Sequence, residues 1–139
     1  MQATSDNLSF YRTVFRVGAV YDMLLGASFF FFWKWLFDAI EVVPPENTSY
    51  IHITAAYVFM QGLGYWFVAR DMLRNIDIVK LGVIYKLIYV ALSVYYLAIG
   101  ELLHAVFVWF AVFDLIFLVL FVAFLRRALP LAGRDRANV

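Results

Sequence analysis

Four long apolar segments take up most of this chain of 139 residues, and each is long enough for one membrane-spanning helix. They cover residues of about 14–37, 51–69, 81–99 and 105–125. About 20 mostly apolar helical residues cross a hydrocarbon layer of about 30 Å. The hydrophobic share of 65% also exceeds ordinary soluble composition, in which about half the residues are apolar. We therefore predict an all-α fold: a single transmembrane domain over residues 1–139, built as an integral membrane four-helix antiparallel bundle.

The basic residues lie almost entirely on one side of this predicted bundle. Nine of the eleven Lys and Arg residues fall before or at the start of the first segment, between the second and third, or after the fourth. The opposite side carries a single base, Lys34, against four acids: Asp38, Glu41, Glu46 and Glu101. Because cytoplasmic loops of membrane proteins are enriched in Lys and Arg, both termini are predicted to be cytoplasmic. The predicted location is the cell inner membrane, as a multi-pass protein.

Composition narrows the possible functions. The chain has no cysteine, which excludes disulfides, thiolate metal sites, iron–sulfur clusters and cysteine nucleophiles. The net charge of +1 offers no support for nucleic-acid binding. The sequence also contains no nucleophile elbow, phosphate-binding glycine loop or HExxH motif, so enzymatic activity is not favoured.

Three charged residues lie deep inside the apolar segments, away from their ends: Asp22, Lys86 and Asp114. A charge inside a hydrocarbon layer is costly, so it persists where it has a partner, water or a function. With Gln61 and Tyr89 they form a predicted polar layer that is the candidate ligand-binding or ion-binding site. The alternative is a structural ion pair that fixes how the helices align, because buried pairs often specify geometry more than they add stability.

Counting along the helices predicts which of these charges pair. Asp22 and Lys86 each lie six residues from the nearest flanking base, or about 9 Å at a rise of about 1.5 Å per residue. Asp114 lies twelve residues from Arg126, about 18 Å away by the same rise. We therefore predict an Asp22–Lys86 ion pair. Asp114 has no obvious counter-charge, so it is expected to pair with Gln61 or a tyrosine, to bind water or to remain protonated. Desolvation should favour the neutral form of such an acid unless Lys86 or a cation comes near.

Small and polar residues predict the inward face of each helix, since small residues allow close helix contacts in membranes. The residues on these faces have helical spacing. In the first two segments they are Gly18, Asp22 and Gly26, then Thr54, Tyr57, Gln61, Gly64 and Tyr65. In the last two they are Gly82, Lys86, Tyr89, Ser93 and Gly100, then Phe107, Ala111, Asp114, Phe117 and Phe121.

Other polar and aromatic residues leave the cofactor undecided. His52 and His104, with nearby acids, would suit a divalent metal, and two opposed histidines would suit a haem, but no ligand-spacing motif accompanies them. Four tyrosines either pack as core or line a quinone or lipid pocket: Tyr57, Tyr65, Tyr85 and Tyr89. The sequence identifies neither a metal nor a cofactor.

A few residues suggest a resemblance to a known family. They are Arg16-Val17-Gly18 at the start of the first segment, Gly26 within that segment, and Gly82 with Lys86 in the third segment. In these features and in its four-segment outline, the chain resembles the DoxX-like group of small bacterial four-helix membrane proteins. The resemblance implies an accessory role near membrane redox enzymes. The absence of cysteine argues against a thiol-based role.

Two functions are compatible with these features. The first is an accessory or assembly subunit of a larger membrane complex, whose partners are the lipid bilayer and a protein partner or further copies of this chain. The second is a small transport or ligand-binding unit that uses the intramembrane Asp/Lys layer. The sequence favours the first, because substrate sites of carriers usually lie between repeated units and the chain is short.

Overall fold

The computed structural model describes the backbone of residues 2–102 and 104–137, and the side chains of residues 8–102 and 104–131. This part of the chain forms four helices: α1 (Gln2–Ala39), α2 (Ser49–Arg70), α3 (Ile76–Ala98) and α4 (Val106–Ala137). The all-α prediction is confirmed for these residues. A non-helical residue, Phe32, kinks α1 near its end (φ −120°, ψ 20°).

The helices extend beyond the apolar segments at the end of the molecule where both termini lie. Here α1 begins at Gln2 and α4 continues to Ala137, because the flanking residues include good helix formers such as Ala, Leu and Arg. Even Pro130 is accommodated inside α4. Apolarity predicts where a helix meets hydrocarbon, and it does not predict where the helix itself stops.

Three of the helices are long and apolar enough to cross a membrane, over Leu8–Ala39, Ile76–Ala98 and Val106–Leu131. The prediction of four such helices is therefore met for α1, α3 and α4. Within the described residues α2 falls short of the same hydropathy, since it carries His52, Thr54 and Gln61 as well as several tyrosines. Its polar side chains mark it as the helix least suited to contact hydrocarbon alone.

The four helices pack as two antiparallel hairpins. The α1–α2 hairpin has the most extensive helix contact, followed by the α3–α4 hairpin, whereas α2 meets α3 and α1 meets α4 over smaller areas. Glycines explain the closeness of α1 and α2. A Cβ at Gly26 would lie 2.6 Å from the backbone N of Phe59, and one at Gly62 would lie 2.7 Å from that of Met23. The two backbones are therefore in direct contact.

The core fills only one half of the bundle. Its largest fully buried residues include Phe15, Tyr65, Phe121 and Phe124, and Phe15 stacks on Phe121 with ring centroids 4.8 Å apart. All of these lie toward the end that carries the termini and the 71–75 loop. We call this the basic half, after its Lys and Arg residues. We call the opposite half, next to the 40–48 loop, the acidic half. Side chains do not fill its interior as completely.

Candidate functional site

Lys86 joins the two buried carboxylates of the described chain. Its Nζ lies 2.6 Å from Oδ1 of Asp114, and 3.3 Å and 3.5 Å from the two carboxylate oxygens of Asp22. The Lys86 side chain is completely buried, and Asp22 and Asp114 are 2% and 6% exposed. We call Asp22, Lys86 and Asp114 the ion triad. Two carboxylates against one ammonium give it a formal charge of −1 when all three are ionised.

The ion triad lies where all four helices meet. Asp22 belongs to α1, Lys86 to α3 and Asp114 to α4, and the Lys86 Nζ also lies 5.5 Å from the ring centroid of Tyr65 on α2. A second ring, that of Phe117 on α4, lies at the same distance. A cation over such rings is attracted to their negative faces. Lys86 is thus held by charge and by aromatic rings at the centre of the bundle.

Glycines make room for this arrangement. A Cβ at Gly82, one turn before Lys86, would lie 2.6 Å from the ring of Tyr65. The absence of a side chain at Gly82 therefore lets the Tyr65 ring lie between α2 and α3. On α1, Gly18, Asp22 and Gly26 are all buried, which confirms that they share the inward face.

The pairing prediction is confirmed for Asp22 and wrong in one respect for Asp114. Lys86 contacts Asp22 as predicted, but its closer partner is Asp114, which was expected to have no counter-charge. Counting from the nearest flanking base treats each helix separately. It cannot fix how far α4 is shifted along α3, and the shift here brings Asp114 level with Lys86. Asp114 is therefore a paired acid, not the unpaired one that was expected.

A cavity of about 290 Å³ lies in the acidic half, directly against the ion triad. Its floor is formed by Asp22 and Asp114 together with three tyrosines. Its walls are apolar or aromatic along most of their length. The floor tyrosines are Tyr21, Tyr85 and Tyr89, and the walls include Leu25, Phe29, Phe37, Ile51, Ala55, Val58, Phe107 and Phe110.

Part of the cavity lining is exposed on the face of α2 that points toward α3. The lining residues Tyr50 and Thr54 are exposed, and they follow the same helical stripe as Gly64. At Gly64 the two helices are close, since a Cβ there would lie 3.2 Å from Cγ2 of Ile78. Toward the acidic end Tyr57 on this stripe is 70% exposed. The helices α2 and α3 therefore diverge from the 71–75 loop outward and leave a side opening.

The remaining predicted site residues have different positions. Tyr89 lies in the cavity floor, beside the ion triad. Gln61 does not line the cavity, and its Nε2 is buried without a hydrogen-bond partner in the described structure. Tyr57 was expected inside and faces outward instead, because the buried face of α2 runs through Ala55, Gly62 and Tyr65.

Sequence reasoning missed Tyr21 as a site residue, and its hydroxyl is notable. Tyr21 lines the cavity floor, and its OH is buried without a hydrogen-bond partner among the described residues. The signal was present in the sequence, because Tyr21 precedes Asp22 just as Tyr85 precedes Lys86. An aromatic residue next to an intramembrane charge lies near the same level and beside the same site.

The two histidines are each engaged locally. His52 Nδ1 lies 3.1 Å from the carbonyl oxygen of Thr48, and His104 Nδ1 accepts the N–H of Val106 at 3.0 Å. The described side chains contain no group of three or more His, Cys, Asp or Glu residues placed to bind a metal.

Comparisons with protein-family models, curated proteins and solved structures found no match. The resemblance to the DoxX-like group therefore stays a prediction from the sequence, and the functional argument rests on the geometry of the cavity and the ion triad.

Proposed function

We propose that this protein is a small membrane protein that binds an apolar small molecule with a polar head group. The observation that carries the proposal is the cavity of about 290 Å³, which has apolar walls and two carboxylates at its floor. Ligand sites are typically apolar clefts with a few converging polar groups. An apolar cavity of about 150 Å³ is enough to bind benzene, so this one suits a molecule of about two rings.

The membrane setting is part of the proposal. Three helices are apolar enough to span, and their outward faces carry large exposed apolar side chains such as Phe31, Leu24 and Val119. We place α2 beside α1 within the same bilayer, because the contacts at Gly26 and Gly62 leave no room between them. The basic half then faces the cytoplasm of the inner membrane, and the cavity opens in the opposite leaflet.

The position of the side opening supports entry from the lipid phase. In this orientation Thr54 and Tyr57 lie within the bilayer rather than in water, so a membrane-dissolved molecule reaches the cavity without crossing a polar surface. Its apolar part would lie against Val58 and Phe110, and its head would reach the floor at Asp22.

The test is to block the opening. Thr54→Trp adds a large side chain at an exposed lining position, whereas Ile53→Trp adds the same side chain at a position that is exposed and outside the lining. Tritiated 2-(2-naphthyl)ethanol is the probe, with protein in nanodiscs of zwitterionic lipid. We expect saturable binding to the unmodified chain and to Ile53→Trp, and a large loss in Thr54→Trp. Equal binding by both variants would refute the cavity as the binding site.

An accessory subunit is the second candidate, favoured by one surface feature. Near the kink in α1, Phe31, Phe32 and Trp35 are each more than 60% exposed and form an aromatic patch at the acidic end. Such a patch suits a partner helix as well as lipid. Crosslinking from Phe31, with the equally apolar but distant Leu81 as control, would yield a specific product only if a partner covers the patch.

A further inference from the structure

The cavity floor has an excess of negative charge that the described side chains do not balance. The ion triad contains two carboxylates and one ammonium, all almost completely buried. No other Lys, Arg or His side chain in the described part of the chain forms an ion pair with Asp22 or Asp114. In a site of low dielectric constant, a second positive charge or a proton is strongly favoured beside the two acids.

Of the three residues of the ion triad, only the two acids, Asp22 and Asp114, line the cavity. A ligand head at the floor therefore meets carboxylate oxygens rather than a cation. A ligand with an anionic head group would be repelled by the two carboxylates, and none of the described basic side chains lines the cavity to offset this. The cavity floor therefore disfavours acidic ligands.

The two carboxylates are not equally engaged. Lys86 lies 2.6 Å from Asp114 but 3.3 Å from the nearer oxygen of Asp22, which is longer than a strong charge-assisted hydrogen bond. Asp22 therefore keeps more capacity to accept from a ligand. The neighbouring Tyr21 hydroxyl has no hydrogen-bond partner in the described structure and lines the same floor, so a second polar contact is ready.

Aromatic rings surround the space above these groups. Tyr21, Tyr85 and Tyr89 lie at the floor, and Phe29 and Phe110 form walls whose rings meet edge to face with centroids 6.5 Å apart. Organic ammonium groups are commonly recognised by aromatic faces together with a carboxylate. A hydrated inorganic cation gains little from such walls, whereas the hydrocarbon part of an amine does.

From these features we infer that the ligand of the cavity is a lipophilic amine that binds as its ammonium form, with its nitrogen at Asp22 and Tyr21 and its apolar body along Phe29, Val58 and Phe110. The inference rests on the proposed binding function and specifies its ligand class. A bound ammonium brings the floor to neutrality and leaves the Lys86–Asp114 pair in place.

Three matched probes test this inference: 2-(2-naphthyl)ethylamine, 2-(2-naphthyl)ethanol and 2-naphthylacetate. They compete against the tritiated amine on the unmodified protein in zwitterionic nanodiscs, with Thr54→Trp as background. We expect the amine to bind at least about tenfold more tightly than the alcohol, as for a hydrogen bond to a buried charge, and the carboxylate to bind worst.

Variants locate the nitrogen. In Asp22→Asn we expect the amine to lose its advantage over the alcohol, because the amide still accepts a hydrogen bond from either head group but carries no charge. Asp77→Asn, which changes an exposed carboxylate of the 71–80 region, should alter neither affinity. If Asp22→Asn fails to fold, Tyr21→Phe serves instead, with an expected selective loss of amine affinity.

The outcomes separate the two proposals. Equal affinity for amine and alcohol, both sensitive to Thr54→Trp, would overturn the amine inference and leave the binding function standing. Tighter binding of the carboxylate would show that Lys86 reaches the cavity and would overturn it as well. If no probe binds above the Thr54→Trp background, the binding function itself fails.

Discussion

The ammonium of Lys86 lies closer to Asp114 than to Asp22, at 2.6 Å against 3.3 Å. The closer pair lies within one hairpin, between α3 and α4, and the longer one crosses from the α3–α4 hairpin to α1. One lysine thus neutralises part of the charge on two acids and connects the two hairpins at their centre.

Removing the lysine should destabilise the fold strongly. Lys86→Met leaves two buried carboxylates without a cation, and breaking a buried pair in this way costs about 3–5 kcal/mol of unfolding free energy. Titration with SDS in mixed micelles, followed by tryptophan fluorescence, measures it. The triple variant Asp22→Asn/Lys86→Met/Asp114→Asn should recover much of the loss.

Lys80→Met is the matched control for that change. Lys80 pairs with Asp77 at 2.8 Å, but both side chains are more than half exposed. Exposed pairs contribute at most about 1 kcal/mol, so this variant should unfold close to the unmodified protein. A similar loss in both lysine variants would contradict the central role of Lys86.

The two acids should couple to Lys86 unequally. In double-mutant cycles with Asp→Asn and Lys86→Met, we expect a larger coupling energy for Asp114 than for Asp22, because its distance to Nζ is shorter. Contacting residues typically show coupling of about 0.5–3 kcal/mol. A larger value for Asp22, or additive behaviour in both cycles, would show that the distances do not reflect the strength of the pairs.

Adding a methyl group at the contact between α1 and α2 should destabilise the fold. At Gly62, a Cβ would meet the backbone of α1, with Met23 N at 2.7 Å and Ala19 O at 2.8 Å. Backbone cannot move aside as a side chain can, so Gly62→Ala should cost about 1–3 kcal/mol. In Gly64→Ala the nearest atom is a side-chain methyl group, Cγ2 of Ile78 at 3.2 Å, which needs to shift by only a few tenths of an ångström, so this control should lose much less stability.

The orientation in the membrane is tested with single cysteines, because the chain has none of its own. Glu46→Cys lies in the acidic 40–48 loop and Arg74→Cys in the basic 71–75 loop, and both side chains are exposed. In intact cells a membrane-impermeant maleimide should label position 46 and spare position 74 until the membrane is opened. The reverse pattern would mean that the termini lie outside.

Helix faces could be predicted from sequence where small or charged residues mark them. The burial of Asp22, Lys86 and Asp114 confirms which sides of α1, α3 and α4 face inward, because burying a charge requires a partner inside the bundle. The prediction is wrong for Gly100, which lies beyond the end of α3 in an exposed turn with a φ of 75°. The face of α2 was placed wrongly at Tyr57. Tyrosine is amphipathic and suits a lipid boundary as well as a core, so its presence does not identify a side.

The cavity and the offset between helices could not be predicted in this way. Both depend on how far one helix is shifted along its neighbour. The spacing of residues within a single helix gives no information about that shift. Phe107 and Asp114 were correctly assigned to one inward face, yet nothing in their spacing shows that Phe107 borders empty space while Phe121 is fully packed. The difference arises from the divergence of α2 and α3, which is a property of the whole bundle.

The division into two hairpins also determines how the molecule can deform. At Gly26 and Gly62 the backbones of α1 and α2 are in direct contact, and the 71–75 segment is the covalent joint to the other hairpin. A rotation about this joint would widen the cavity and lengthen the contact between Lys86 and Asp22, whereas Lys86 and Asp114 would travel together. The distance from Lys86 to Asp22 therefore depends on the angle between the two hairpins. The share of the Asp22 charge that Lys86 neutralises depends on the same angle.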